Sequence, residues 1–172
     1  MGIQPLKTNG DKVNRVTLAA TALAVSAAAG VGSVASRASV DSWYSRLRKP
    51  GYVPPNAVFP VAWTSLYTDI AATSAVAIGR LRAAGRHDQA RNYVVALGTN
   101  LILNAGWSWL FFRYHKLGAS TVGAAVLAAS SADLARRAAL ADPRAGVALL
   151  PYPLWSAFAT AMSSHIWVLN RS

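Results

Sequence analysis

The chain reads as five long apolar blocks separated by short polar breaks that hold most of its Lys and Arg. The blocks cover residues 16–34, 57–79, 92–112, 117–135 and 146–169. Each has about the 20 residues a helix needs to cross a hydrocarbon core roughly 30 Å thick. No stretch shows the period-two alternation of a half-buried strand. The pattern predicts an all-α integral membrane bundle of five transmembrane helices, with its termini on opposite sides. Residues 1–15, with Lys7, Lys12 and Arg15 against Asp11, read as a flexible basic tail, and residues 16–172 as one five-helix domain. The first block could pass for a signal peptide, but the apolar blocks that follow make it a retained span. The fourth block is mostly Ala, Ser, Gly and Val, small residues that let helices approach closely. Pro151 and Pro153 predict a kink or a late start in the fifth.

Composition sharpens this picture. Hydrophobic residues make up 53% and charged residues 13% of the 172 positions, against about 25% charged in soluble domains. The net charge is +11, and its cations sit between apolar blocks. That is the layout of basic loops beside a lipid bilayer. A nucleic-acid binder would spread them over its faces, so no nucleic-acid partner is expected. The absence of Cys removes disulfides, thiolate metal sites and a cysteine nucleophile. There is no Glu, so paired-carboxylate catalysis would have to draw on six Asp. Lys and Arg divide too evenly between the two sides for the positive-inside rule to fix orientation.

Candidate chemistry concentrates in Trp43 to Tyr67, a stretch rich in rings, prolines and cations. Pro50, Pro54, Pro55 and Pro60 forbid a regular helix or strand from running through Pro50 to Pro60. The stretch reads as a rigid extended loop, either a lid over a cavity between helices or an interfacial anchor of aromatics and cations. Helical spacing then aligns three stripes. Tyr93, Leu97, Asn100, Asn104, Trp107 and Phe111 share one face of the third span. Tyr152, Trp155, Ala159, Met162 and Ile166 share one on the fifth, with Phe158 and His165 at its flank. Trp63, Tyr67, Ile70 and Ser74 share one on the second. Such stripes either enclose a pocket for a flat, largely apolar ligand or pack helix against helix, with the two Asn as interhelical glue. Asp69, inside the second span, reads as paired to another helix or protonated, and more sharply as a proton relay. His165 is a candidate axial haem ligand, though a lone His on a helix is more often a packed side chain. Gly98, Ile102, Ala105 and Trp109, opposite the Asn stripe, form a face that suits a second copy or lipid.

Three motifs carry a resemblance. The first is Trp43-Tyr44, Leu47, Lys49-Pro50, Pro54-Pro55, Phe59, Trp63-Thr64 and Leu66-Tyr67. The second is Asn100, Asn104, Trp107-Ser108 and Phe111-Phe112. The third is Pro151-Tyr152, Trp155, Phe158-Ala159 and Trp167 through Asn170. Together they resemble the translocator protein family, which includes the tryptophan-rich sensory proteins of bacteria and the peripheral benzodiazepine receptors of mitochondria. The likeness spans roughly residues 16–170.

The resemblance implies a pocket among the helices beneath the first loop. Its ligands would be tetrapyrroles such as protoporphyrin IX or haem, benzodiazepine-type compounds and, in some members, sterols. By resemblance the ligand-binding residues are Trp43, Tyr44, Pro50, Pro55, Trp63, Tyr67, Asn100, Asn104, Trp107, Tyr152, Trp155, Phe158 and Ala159. The implied role is sensing, sequestering or moving porphyrins, with the porphyrin as ligand and no cofactor required. A homodimer is expected, in a bacterial cell membrane or a mitochondrial-type outer membrane. A second reading is light-dependent porphyrin degradation, with Trp63 and Trp155 as candidate catalytic tryptophans. A third is a transporter of sterols or other small molecules with an Asp69 relay, which the lack of an internal repeat disfavours. Met162-Ser163 stands where many members carry Leu-Asn, and no Tyr appears in the final stretch from His165 to Arg171. That departure makes tetrapyrroles a better expectation than sterols.

Overall fold

The computed structural model describes residues 9–37 and 39–171, and among them every regular element is helical. Helix α1 spans Asn9–Arg37, α2 Val58–Ala83, α3 His87–Ser108, α4 Leu117–Ala141, α5 Pro143–Ala148 and α6 Pro151–Leu169. Two short π-helical turns, Val40–Tyr44 and Trp109–Arg113, follow α1 and α3. Of the tail expected over residues 1–15, residues 1–8 lie outside the described residues, and from Asn9 onward the chain is helical.

Four segments are long and apolar enough to cross a membrane: Arg15–Arg37, His87–Arg113, Leu117–Ala141 and Pro143–Leu169. Helix α2 has the length, 26 residues. Its hydropathy is lowered by Asp69 and by a run of Trp, Tyr, Thr and Ser side chains.

The helices form an up-and-down bundle. Helix α1 packs on α2 and α3, and α4 packs on α3, α5 and α6. One end, here the lid end, gathers the chain from Val40 to Ala57, the Trp109–Lys116 connection and the end of α6. The opposite end gathers the α2–α3 turn and the start of α5. Local chemistry sets each boundary. Helix α2 begins at Val58, inside the Pro50–Pro60 stretch from which a regular helix was expected to be excluded, so Pro60 falls in its first turn. There its missing N–H would have had no partner anyway. At the opposite end Gly85 takes a left-handed φ of 71° and Arg86 N–H donates to Leu81 O, so a glycine cap closes α2. Asp142 caps α5 by accepting from Arg144 N–H, with Pro143 at the first helical position. Its other oxygen reaches Arg80 at 3.3 Å, tying α5 to the end of α2. The kink expected in the last block is a break between α5 and α6, just before Pro151.

A Cβ on Gly146 would sit 2.6 Å from Ala139 Cα, so only glycine lets α5 fold back onto α4. At the lid end Gly118 lets the Trp167 ring lie flat on the first turn of α4. Close approach through small residues is the packing mode expected between membrane helices.

Candidate functional site

Beneath the lid the bundle leaves a cavity of about 370 Å³. Its outer wall is Phe59, Pro60, Trp63, Thr64 and Tyr67 on α2. Trp107 and Ser108 on α3, with Phe111 and Phe112 on the π turn behind it, form the facing wall. Ala29, Gly32, Ser33 and Ser36 on α1 close one side, Tyr44 and Asn56 the top, and Met162 on α6 the back. The walls are mostly rings. Trp63 and Tyr67 lie 5.4 Å apart and tilted by 31°, and Trp107 stacks on Phe111 at 5.5 Å. Offset aromatic pairs at such separations add to simple area burial.

A chain of hydrogen bonds runs from this wall into the bundle. Tyr67 donates to Asn104 Oδ1 at 2.7 Å, and Asn104 Nδ2 donates to Tyr152 Oη at 3.2 Å. Tyr152 donates to Asn100 Oδ1 at 2.7 Å, and Asn100 Nδ2 donates to Ser130 and Ser131. Ser131 ends the chain on the carbonyl of Leu127. Asn100 and Tyr152 are 0% exposed and Asn104 2%. Buried groups of this kind are costly unless partnered, and here each has its partner.

The lid is held at three places. Asn170 exchanges two hydrogen bonds with the backbone of Arg48, accepting from its N–H at 3.0 Å and donating to its carbonyl at 2.9 Å. Tyr52 Oη meets His165 Nδ1 at 2.7 Å and its ring packs edge-on against Phe158. Trp43 stacks on His115 at 4.0 Å. Tyr44 lies deeper, with the Lys49 ammonium 4.2 Å from its ring centroid, and burial pushes its phenol above the ordinary pKa.

Of the sequence-expected site residues, Tyr44, Trp63, Tyr67 and Trp107 line the cavity directly. Asn100, Asn104 and Tyr152 stand behind it in the hydrogen-bond chain. Trp155 is not in the lining; it packs edge-on against Phe59 at 6.0 Å and tilts against Phe158. Trp43, Pro50, Pro55, Phe158 and Ala159 are likewise outside the lining, Trp43 and Phe158 as supports beneath or beside the lid. His165 is exposed, engaged by Tyr52 and away from the lining. Asp69 keeps one buried carboxylate oxygen that no described group partners. Trp109 donates its indole N–H to Val31 O on α1, so it is tied to a neighbouring helix.

Sequence reasoning missed the α1 wall. Ala29, Ser33 and Ser36 recur at helical spacing and Gly32 meets Ser108 closely, with an added Cβ 3.2 Å from Ser108 Oγ. Four small residues on one face were the signal available.

This fold and cavity define a multi-pass helical membrane protein with an aromatic-walled chamber under a proline-rich lid. The TspO/MBR family model matches residues 19–168, and the chain belongs to that family. It is 32% identical over 130 residues to the tryptophan-rich sensory protein of Cereibacter sphaeroides, covering 76% of this chain and 78% of that one. It is 33% identical over 162 residues to the tryptophan-rich protein TspO of Archaeoglobus fulgidus, covering 92% and 99%. It is 29% identical over 144 residues to the translocator protein of Bos taurus, covering 82% of each chain.

Proposed function

We propose that this protein binds a tetrapyrrole such as protoporphyrin IX or haem in the cavity beneath the lid, and so senses, sequesters or moves it. The observation that carries the reading is the ring-lined wall of Trp63, Tyr67, Trp107 and Phe111, which offers stacking area to a flat apolar macrocycle. The cavity volume falls within the roughly 300–1,000 Å³ of ligand pockets. The Lys49 ammonium, 4.2 Å from the ring centroid of the cavity-lining Tyr44, is a cation within the lid that could pair with ligand carboxylates. The sensory name of the bacterial relative agrees with a sensing role. Helix α2 supplies a fifth crossing in this reading, with Trp63, Thr64 and Tyr67 turned to the cavity and Tyr67 joined to the hydrogen-bond chain. A homodimer belongs to the same reading, because Gly98 faces open space and Ile102 is 74% exposed beside it.

The test is an absorbance titration of detergent-purified protein with protoporphyrin IX and with haem, cholesterol serving as competitor. Trp63→Ala should weaken porphyrin binding by about 1–3 kcal/mol, by analogy with base–aromatic stacking, or roughly ten- to a hundredfold. Parental affinity in a folded Trp63→Ala protein would sink the assignment. Competition by cholesterol at matching concentrations would move the reading to sterols.

The indole of Trp63 on the cavity wall also favours the second reading, light-dependent degradation of the bound porphyrin. Trp63→Phe should then keep binding and lose degradation, while degradation at the parental rate would leave Trp63 a packing residue.

A further inference from the structure

A second pocket, of about 350 Å³, opens at the lid end on the outside of the bundle, where α4 begins and α6 ends. Lys116 and Arg171 contribute its charge, and His115 and Trp167 its ring surface. Its position relative to the membrane follows from the span limits. One apolar segment starts at Leu117 and another finishes at Leu169, so the pocket straddles both boundaries. This is the depth at which Trp side chains settle and lipid headgroups lie.

Gly118 has no side chain, and a Cβ there would be 3.2 Å from Trp167 Cε2, so the indole lies directly on α4. The Arg171 guanidinium stands over the Trp167 ring at 5.9 Å from its centroid. His115 holds a left-handed φ of 54°, costly for a residue with a Cβ, and stacking on Trp43 keeps it there.

Among the described residues the ion pairs, Arg80–Asp142, Arg91–Asp88 and Asp133 with Arg136 and Arg137, are all at the opposite end. Asp41 is the one acidic residue that the sequence places at the lid end. Below the pocket, Val122 and Val126 on α4 and Val168 on α6 are exposed apolar side chains.

We propose that this pocket binds the phosphate of an anionic phospholipid, with Lys116 and Arg171 as the cationic clamp, Trp167 against the glycerol region and the acyl chains along the exposed valines. Basic pockets between membrane helices recognise anionic headgroups by this chemistry. The site lies outside the chamber and shares none of its lining residues, though His115 and Asn170 on its rim also hold the lid.

Native mass spectrometry of the detergent-purified full chain tests the site, using phosphatidylglycerol and phosphatidylcholine of identical acyl chains. Phosphatidylglycerol should be retained in preference. Lys116→Gln and Arg171→Gln should each weaken that retention about fivefold, from roughly 1 kcal/mol per cation near a lipid surface. Arg136→Gln, at the opposite end, should leave it unchanged. High salt should erode the preference, since exposed charges are screened. Far-UV circular dichroism and the porphyrin titration, both expected at parental values, separate loss of the site from loss of the fold. Equal retention of the two lipids would overturn the proposal. So would an equal effect of Arg136→Gln, or displacement of phosphatidylglycerol by millimolar inorganic phosphate, which would mark a soluble-anion site.

Discussion

Asn100 and Asn104 show how one residue type can serve both readings that the sequence leaves open. They are interhelical glue, since their amides join α3 to α2, α4 and α6. They also shape the cavity, because the hydroxyl of its lining residue Tyr67 is held by Asn104. Asn100→Leu keeps the volume and leaves the Tyr152 hydroxyl without its acceptor. It should lower stability by about 0.6–1.7 kcal/mol, the range for hydrogen bonds between membrane helices. Thermal unfolding in detergent measures this, and an unchanged midpoint would mean that Tyr152 finds another partner. The burial of this stripe was legible because helical periodicity alone separates Tyr93, Leu97, Asn100, Asn104, Trp107 and Phe111 from the outer face, and all six are buried. Which partner each Asn takes was not, since it depends on side chains far away in sequence.

At the scale of elements, the lid behaves as an extension of α6. Asn170 donates to Ile166 O, finishing the helix, while the same side chain grips Arg48. Asn170→Ala should therefore speed both entry and release of a chamber ligand while changing equilibrium affinity little. Stopped-flow mixing with protoporphyrin IX reads the two rates, and parental rates would show that Tyr52 and Trp43 hold the lid without it. The lid's extended character followed from its prolines, and the break before α6 from Pro151. The α1 wall was hidden because Ala, Gly and Ser look alike whether they face lipid, a helix or a cavity. Spacing places Trp155 on its stripe, but it could not show that Phe59 on another helix stands beside its ring, outside the cavity lining.

Considered whole, the bundle is an asymmetric object, with its described ion pairs gathered at one end and its chamber and lid at the other. The lack of Cys makes single-cysteine variants clean reporters. Gly51→Cys and His87→Cys, on either side of α2, should react with an impermeant maleimide from opposite faces of the membrane. Labelling from the same face would remove α2 as a crossing. Cross-linking of Gly98→Cys in membranes should give dimers, and monomer alone would assign that face to lipid.

The hydrogen-bond chain has a further property, a sense of direction. Asn100 turns its NH2 toward Ser130 and Ser131 and its oxygen toward Tyr152. That orients Tyr152, then Asn104, and finally commits the Tyr67 proton inward. The Asn104 amide thus sets what the tyrosine on α2 has left to offer: lone pairs only. Toward a ligand, Tyr67 is a hydrogen-bond acceptor and not a donor.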